Sequence, residues 1–69
     1  MGNFKQRLRE LRIEKGLSQQ ELGVLVNVSK MAVSHWENGH SEPSVAQLIF
    51  LSNYFEVTVD YLVGKVDFI

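Results

Sequence analysis

The three-residue joint Asn27-Val28-Ser29 constrains this chain more than any other feature. The segment before it opens on Ser18-Gln19-Gln20-Glu21, a capping box in which the serine oxygen and Glu21 satisfy each other's free backbone N–H groups. Leu22, Leu25 and Val26 then form an apolar helical face. Asn27 ends the segment, because asparagine tolerates the left-handed conformation. The segment after the joint opens on Ser29, an N-capping residue type, and carries Val28, Ala32, Val33 and Trp36 as one inward stripe. It stops at Asn38-Gly39. Two helices joined this tightly must cross steeply.

That crossing is the geometry of a helix-turn-helix. The flanking sequence supplies the support it needs. Phe4, Leu8 and Leu11 share one face of a first helix from about Phe4 to Lys15, with Asn3 as N-cap and Gly16 as left-handed stop. After the loop His40-Ser41-Glu42-Pro43, Ser44 and Gln47 make a second capping box. They open a helix from Val45 to about Phe55 that is apolar nearly all round, a pattern that predicts a central core element or packing on two sides. Thr58 caps a short last helix, Val59 to Val63, closed by Gly64. The expected fold is all-α: a compact domain of five helices over residues 1–64, with residues 65–69 as a short tail that alternates polar and apolar.

At 69 residues the chain is one domain near the lower limit for a self-supporting core. It has no cysteine, so a disulfide framework and a thiolate metal site are both excluded. No apolar run spans a membrane and no signal-peptide pattern is present, so the expected location is cytoplasmic. The net charge of -1 speaks against a generic basic nucleic-acid binder, but it conceals an asymmetry. Residues 1–30 hold six bases and three acids, whereas residues 31–69 hold one base and five acids. On charge alone, the first helix reads as a solvated mixed-charge face.

The order and spacing of Leu8, Leu11-Arg12, Lys15-Gly16-Leu17-Ser18-Gln19, Glu21-Leu22, Val28-Ser29, Val33-Ser34, Trp36-Glu37-Asn38-Gly39, Pro43-Ser44 and Val59-Asp60-Tyr61-Leu62 resemble the lambda-repressor/Cro type of helix-turn-helix domain, the XRE family. The resemblance covers about residues 4–64. It implies a lambda-repressor-like fold and a function in sequence-specific binding of double-stranded DNA. Three positions depart from the family pattern: Gly23 stands where alanine is usual, Asn27 takes the place of the turn glycine, and Glu42 replaces a base in the loop.

The major groove of B-DNA admits one α-helix. A helix that reads it must be short, polar on its outer face and held from behind, and the segment after Ser29 meets all three demands. By the resemblance its N-terminal half points into the groove. That places Ser29, Lys30, Met31, Ser34 and His35 against bases or phosphates. Lys30 suits guanine O6/N7 or a phosphate, or is a solvated surface lysine. Met31 suits a thymine methyl, or packs at the core edge. Ser34 hydrogen-bonds, or is small to allow close approach. His35 suits a purine N7 or a phosphate; His40 lies five residues on, and no carboxylate completes a metal site. The family resemblance further implies that Gln19 contacts the DNA backbone and buttresses the reading helix, and that Asn38 binds a phosphate. Solvent exposure and C-capping are their plain alternatives. It also implies a structural ion pair between Arg12 and Glu37.

No metal and no cofactor are expected, and no arrangement of nucleophile, base or paired acids suggests an enzyme. The expected partners are an operator and a second copy, since such domains bind palindromic DNA as two-fold dimers. Surplus apolar residues nominate Ile49, Phe50, Val59, Tyr61, Phe68 and Ile69 for the dimer contact. The expected function is that of a transcriptional regulator, a phage or mobile-element repressor or a Cro-like protein. The alternative is an antitoxin or adaptor on the same fold that works chiefly through a protein partner.

Overall fold

Serine and threonine side chains start four of the five helices. The computed structural model describes residues 3–67. Its elements are α1 (Phe4–Glu14), α2 (Gln19–Val26), α3 (Lys30–Asn38), α4 (Val45–Phe55) and α5 (Val59–Leu62). Both expected capping boxes form, Ser18 with Glu21 and Ser44 with Gln47. Ser29 Oγ accepts from the Ala32 amide at 3.1 Å and Thr58 Oγ1 from the Tyr61 amide at 3.0 Å. Each cap satisfies a backbone N–H that the helix itself leaves unpaired. Asn3 is the exception. Its side chain caps nothing, and only its carbonyl engages α1, accepting from the Arg7 amide at 2.9 Å.

The core gathers one stripe from every helix. Phe4, Leu8 and Leu11 come from α1, Leu22 from α2, Val33 and Trp36 from α3, Leu51 and Phe55 from α4, and Leu62 from α5, with Val57 from the α4–α5 joint. A fully buried Leu or Val side chain contributes about 1.5–3 kcal/mol. Two readings of apolar spacing need correction. Leu25 lies outside this core and is exposed beside Val24. The outer face of α4 is also uncovered among the described residues: Val45, Ile49 and Phe50 are exposed there, so α4 packs against the described core on one side.

The α2–α3 joint is tight because the two backbones touch. Asn27 adopts the left-handed conformation at φ 64°, and the Val28 amide donates back to the Gly23 carbonyl at 2.8 Å. A Cβ on Gly23 would lie 2.7 Å from the Val28 carbonyl oxygen. Glycine therefore belongs here for a steric reason that outweighs its cost in helix propensity, about 1 kcal/mol. The α4–α5 joint turns in the same way on Glu56, at φ 57°.

The tail is anchored as far as Asp67. Arg7 donates through Nη1 to the carbonyls of Tyr61 and Val66, and through Nη2 to Asp67 Oδ1 at 2.9 Å. Its guanidinium also sits 4.2 Å from the centre of the Tyr61 ring. Tyr61 and Val59, two of the residues nominated for a dimer contact, are half-buried within their own chain. Phe68 and Ile69 lie outside the described residues. No helix among the described residues is long and apolar enough to cross a membrane.

Candidate nucleic-acid interface

Helix α3 has two opposed faces. Val33, Trp36 and Glu37 are buried, and Ala32 is half-buried. Residues at spacings of three and four share a helix face, so Lys30, Met31, Ser34, His35 and Asn38 fall on the other side. Lys30 and Asn38 are exposed there, Ser34 and His35 are half-buried, and Met31 is 65% exposed. That exposure rules out a core-edge role for Met31. Gly39, left-handed at φ 77°, ends the helix where the stripe ends.

Gln19, Ser29, Lys30, Met31 and Ser34 line one open groove of about 460 Å³. It sets the Met31 thioether beside polar side chains, which suits a surface that meets base edges and methyl groups together. Asn38 donates to Ser34 Oγ at 3.3 Å, tying the far end of the stripe to its middle. The rings of His35 and His40 stack with centroids 5.6 Å apart. The chain turns after Gly39 so that the His40 amide donates to the His35 carbonyl at 2.9 Å, which brings together two side chains that helical spacing would separate. Among the described residues, no group of three or more histidines or carboxylates is placed to hold a metal ion.

The pose of α3 is set from behind by Glu37. Its side chain is fully buried, and both carboxylate oxygens accept from Arg12, Oε2 from Nε at 2.6 Å and Oε1 from Nη2 at 3.1 Å. Arg12 Nη1 reaches the Leu17 carbonyl at 2.8 Å. One guanidinium thus joins α1, the α1–α2 joint and α3. Gln19 Nε2 donates to Glu37 Oε1 at 3.2 Å, so the side chain at the start of α2 also braces α3. A third partner was not legible in the sequence: Arg9 approaches the same oxygen at 3.5 Å and the Glu37 carbonyl at 3.3 Å. Spacing places Arg9 three residues from Arg12, but nothing local says that both reach one acid.

Comparison with known proteins agrees with this architecture. A family model described as helix-turn-helix matches residues 8–62. The transcriptional activator BcrR of Enterococcus faecalis is 38% identical over 61 residues, covering 88% of this chain and 30% of the relative. The transcriptional regulator ImmR of Bacillus subtilis is 36% identical over 59 residues, covering 86% of this chain and 46% of the relative. This chain therefore spans less than half the length of either protein. The crystal structure of the P22 c2 repressor in complex with a synthetic operator superposes with a TM-score of 0.84 at 33% identity, covering 91% of this chain and 96% of that one. The order of the helices, the tight α2–α3 joint and these matches together show that the chain belongs to the XRE-type helix-turn-helix family, with the lambda/P22-repressor-like fold.

Proposed function

We propose that this chain is a sequence-specific DNA-binding transcriptional regulator, acting as a repressor of the phage, mobile-element or Cro-like kind. The observation that carries the reading is the two-faced α3, with Lys30, Met31, Ser34 and His35 turned outward over a fully packed back. The P22 c2 repressor, solved with operator DNA, has the same fold and supports the placement of α3 in a major groove. In that pose Ser29, Lys30, Met31, Ser34 and His35 meet bases and flanking phosphates. Gln19 and Asn38 hold the backbone on either side. Repression follows from occupancy, because an operator covered by the domain is closed to polymerase.

The DNA-reading unit in this proposal is residues 1–64, and residues 65–69 are the tail, which Arg7 secures as far as Asp67. One short helix reads only a few base pairs, so the active form is a two-fold dimer on a palindromic site with half-sites one DNA turn apart. The exposed apolar side chains of Ile49 and Phe50 on α4 are the centre of the proposed pairing surface. Those same side chains favour the second reading, an antitoxin or adaptor that binds another protein.

Selection from a pool of random duplexes tests the primary reading. An enriched sequence is expected, with binding lost in the Lys30→Ala/His35→Ala double variant. No enrichment, or equal binding by that variant, rejects it.

A further inference from the structure

The two arginines that share Glu37 are held very differently. Arg12 is only 14% exposed, and its Nε, Nη1 and Nη2 all have partners at 2.6–3.1 Å. Arg9 is 49% exposed, and its contacts with Glu37 are long, at 3.3 and 3.5 Å. If Arg9 swung away, Arg12 and Gln19 would still satisfy the Glu37 carboxylate. Arg9 is thus a cation with N–H groups to spare and little to lose by offering them elsewhere.

Its surroundings extend the reading face. Lys5 lies one turn earlier on the same side of α1, and its chain lies 3.4 Å from where a Gly39 Cβ would be. Lys5, Gln6, Arg9 and Asn38 line an open groove of about 550 Å³ at the C-terminal end of α3. Glu10 is also in the groove, its carboxylate accepting from Gln6 at 3.3 Å. With Glu37 matched by Arg12, the remaining charges there are two positive and one negative.

We propose that Arg9 and Lys5 of α1 form a phosphate clamp, gripping the DNA backbone where it passes the end of α3 next to Asn38. The clamp rests on the DNA-binding reading above. It makes the loosely held Arg9 the arginine of α1 that meets DNA and leaves Arg12 as the structural member. It adds sequence-independent grip, which a chain of net charge -1 otherwise has little of.

The test uses the 69-residue chain and the duplex enriched by selection. Each phosphate contact contributes about 0.9 to the slope of log affinity against log salt. Arg9→Gln and Lys5→Gln are each expected to lower that slope by about 1 and to weaken binding about eightfold at 0.1 M salt, with the enriched sequence unchanged. Arg9→Lys, which keeps the charge, restores the slope. Lys65→Gln, at the far end of the chain, leaves it as it was. Ethylation of a single phosphate flanking each half-site blocks the unmodified protein but not the Arg9→Gln/Lys5→Gln variant. Thermal midpoints of the variants close to that of the parent separate lost contact from lost fold. If Arg9→Gln unfolds, exposed Lys5→Gln carries the same readout alone. An unchanged slope and ethylation pattern, with selection still yielding a motif, overturns the clamp and leaves the DNA reading standing. A changed motif in Arg9→Gln overturns the phosphate assignment in favour of base reading. No binding by the parent protein to any duplex removes both.

Discussion

Glu37 and Arg12 form a buried two-point ion pair, with contacts of 2.6 and 3.1 Å across 25 residues of sequence. Such a pair adds little net stability over apolar packing, because both charges were taken out of water. Removing one half is another matter, since the other charge is left buried without its partner. Glu37→Ala is therefore expected to cost about 3–5 kcal/mol, a large share of the 5–15 kcal/mol typical of a domain. Urea unfolding checks the figure. Binding at a temperature where the variant remains folded then shows how much of the DNA effect came from misplacing α3. A loss below about 1 kcal/mol would mean that Arg12 finds water once Glu37 is gone, and would reject the buried-pair account.

Gly23→Ala sets two effects against each other. Alanine improves helix propensity by about 1 kcal/mol. Its methyl would meet the Val28 carbonyl oxygen at 2.7 Å, and overpacking of this sort costs typically about 1–3 kcal/mol. The steric cost prevails because its partner is backbone at a fixed joint. A net loss of about 1 kcal/mol lowers the melting temperature by about 4–8 °C in a domain of this size. A rise in melting temperature would show that the α2–α3 joint yields.

Glu56→Gly is expected to stabilise. Glutamate at φ 57° bears the Cβ strain of the left-handed region, about 1–2 kcal/mol, and glycine removes it at a smaller entropic cost. The expected gain is about 0.5–1 kcal/mol by urea or thermal unfolding, with no comparable gain for Glu56→Ala.

The legibility of the sequence varied with the range of the interaction. Ser18, Ser29, Ser44 and Thr58 were readable as helix starts because a cap is a local event, and Asn27 and Gly39 as stops for the same reason. The Arg12–Glu37 pair came from family resemblance, since no local spacing connects those positions. The misses have the same origin. Leu25 has core spacing on α2, yet it stays exposed at the edge of the packing, and only the assembled fold reveals that. Glutamate is not a residue type that announces a left-handed turn, so Glu56 gave no sign. Arg7 and Arg9 looked like members of a solvated charged face until their distant partners were in place.

Ile49 and Phe50 provide the test of pairing. Sedimentation equilibrium is expected to show concentration-dependent association of the parent chain and a weaker tendency in Ile49→Ser/Phe50→Ser. A strict monomer at high concentration, cooperative on neither half-site nor palindrome, would reject the proposed dimer. Deleting residues 66–69 is a poorer probe, since it also removes partners that Arg7 holds within the monomer.

The contacts of Arg7 also bear on how long the folded state lasts. They link positions 54, 59 and 60 residues apart, so they close almost the whole chain into one loop. The capped helices and the three-residue joint need only near neighbours and can form early. A closure of that span must wait until the rest is ordered. Interactions made after the folding barrier leave the refolding rate nearly untouched and slow unfolding instead. Arg7 is thus expected to act as a latch on the native state: its removal should speed unfolding more than it slows refolding.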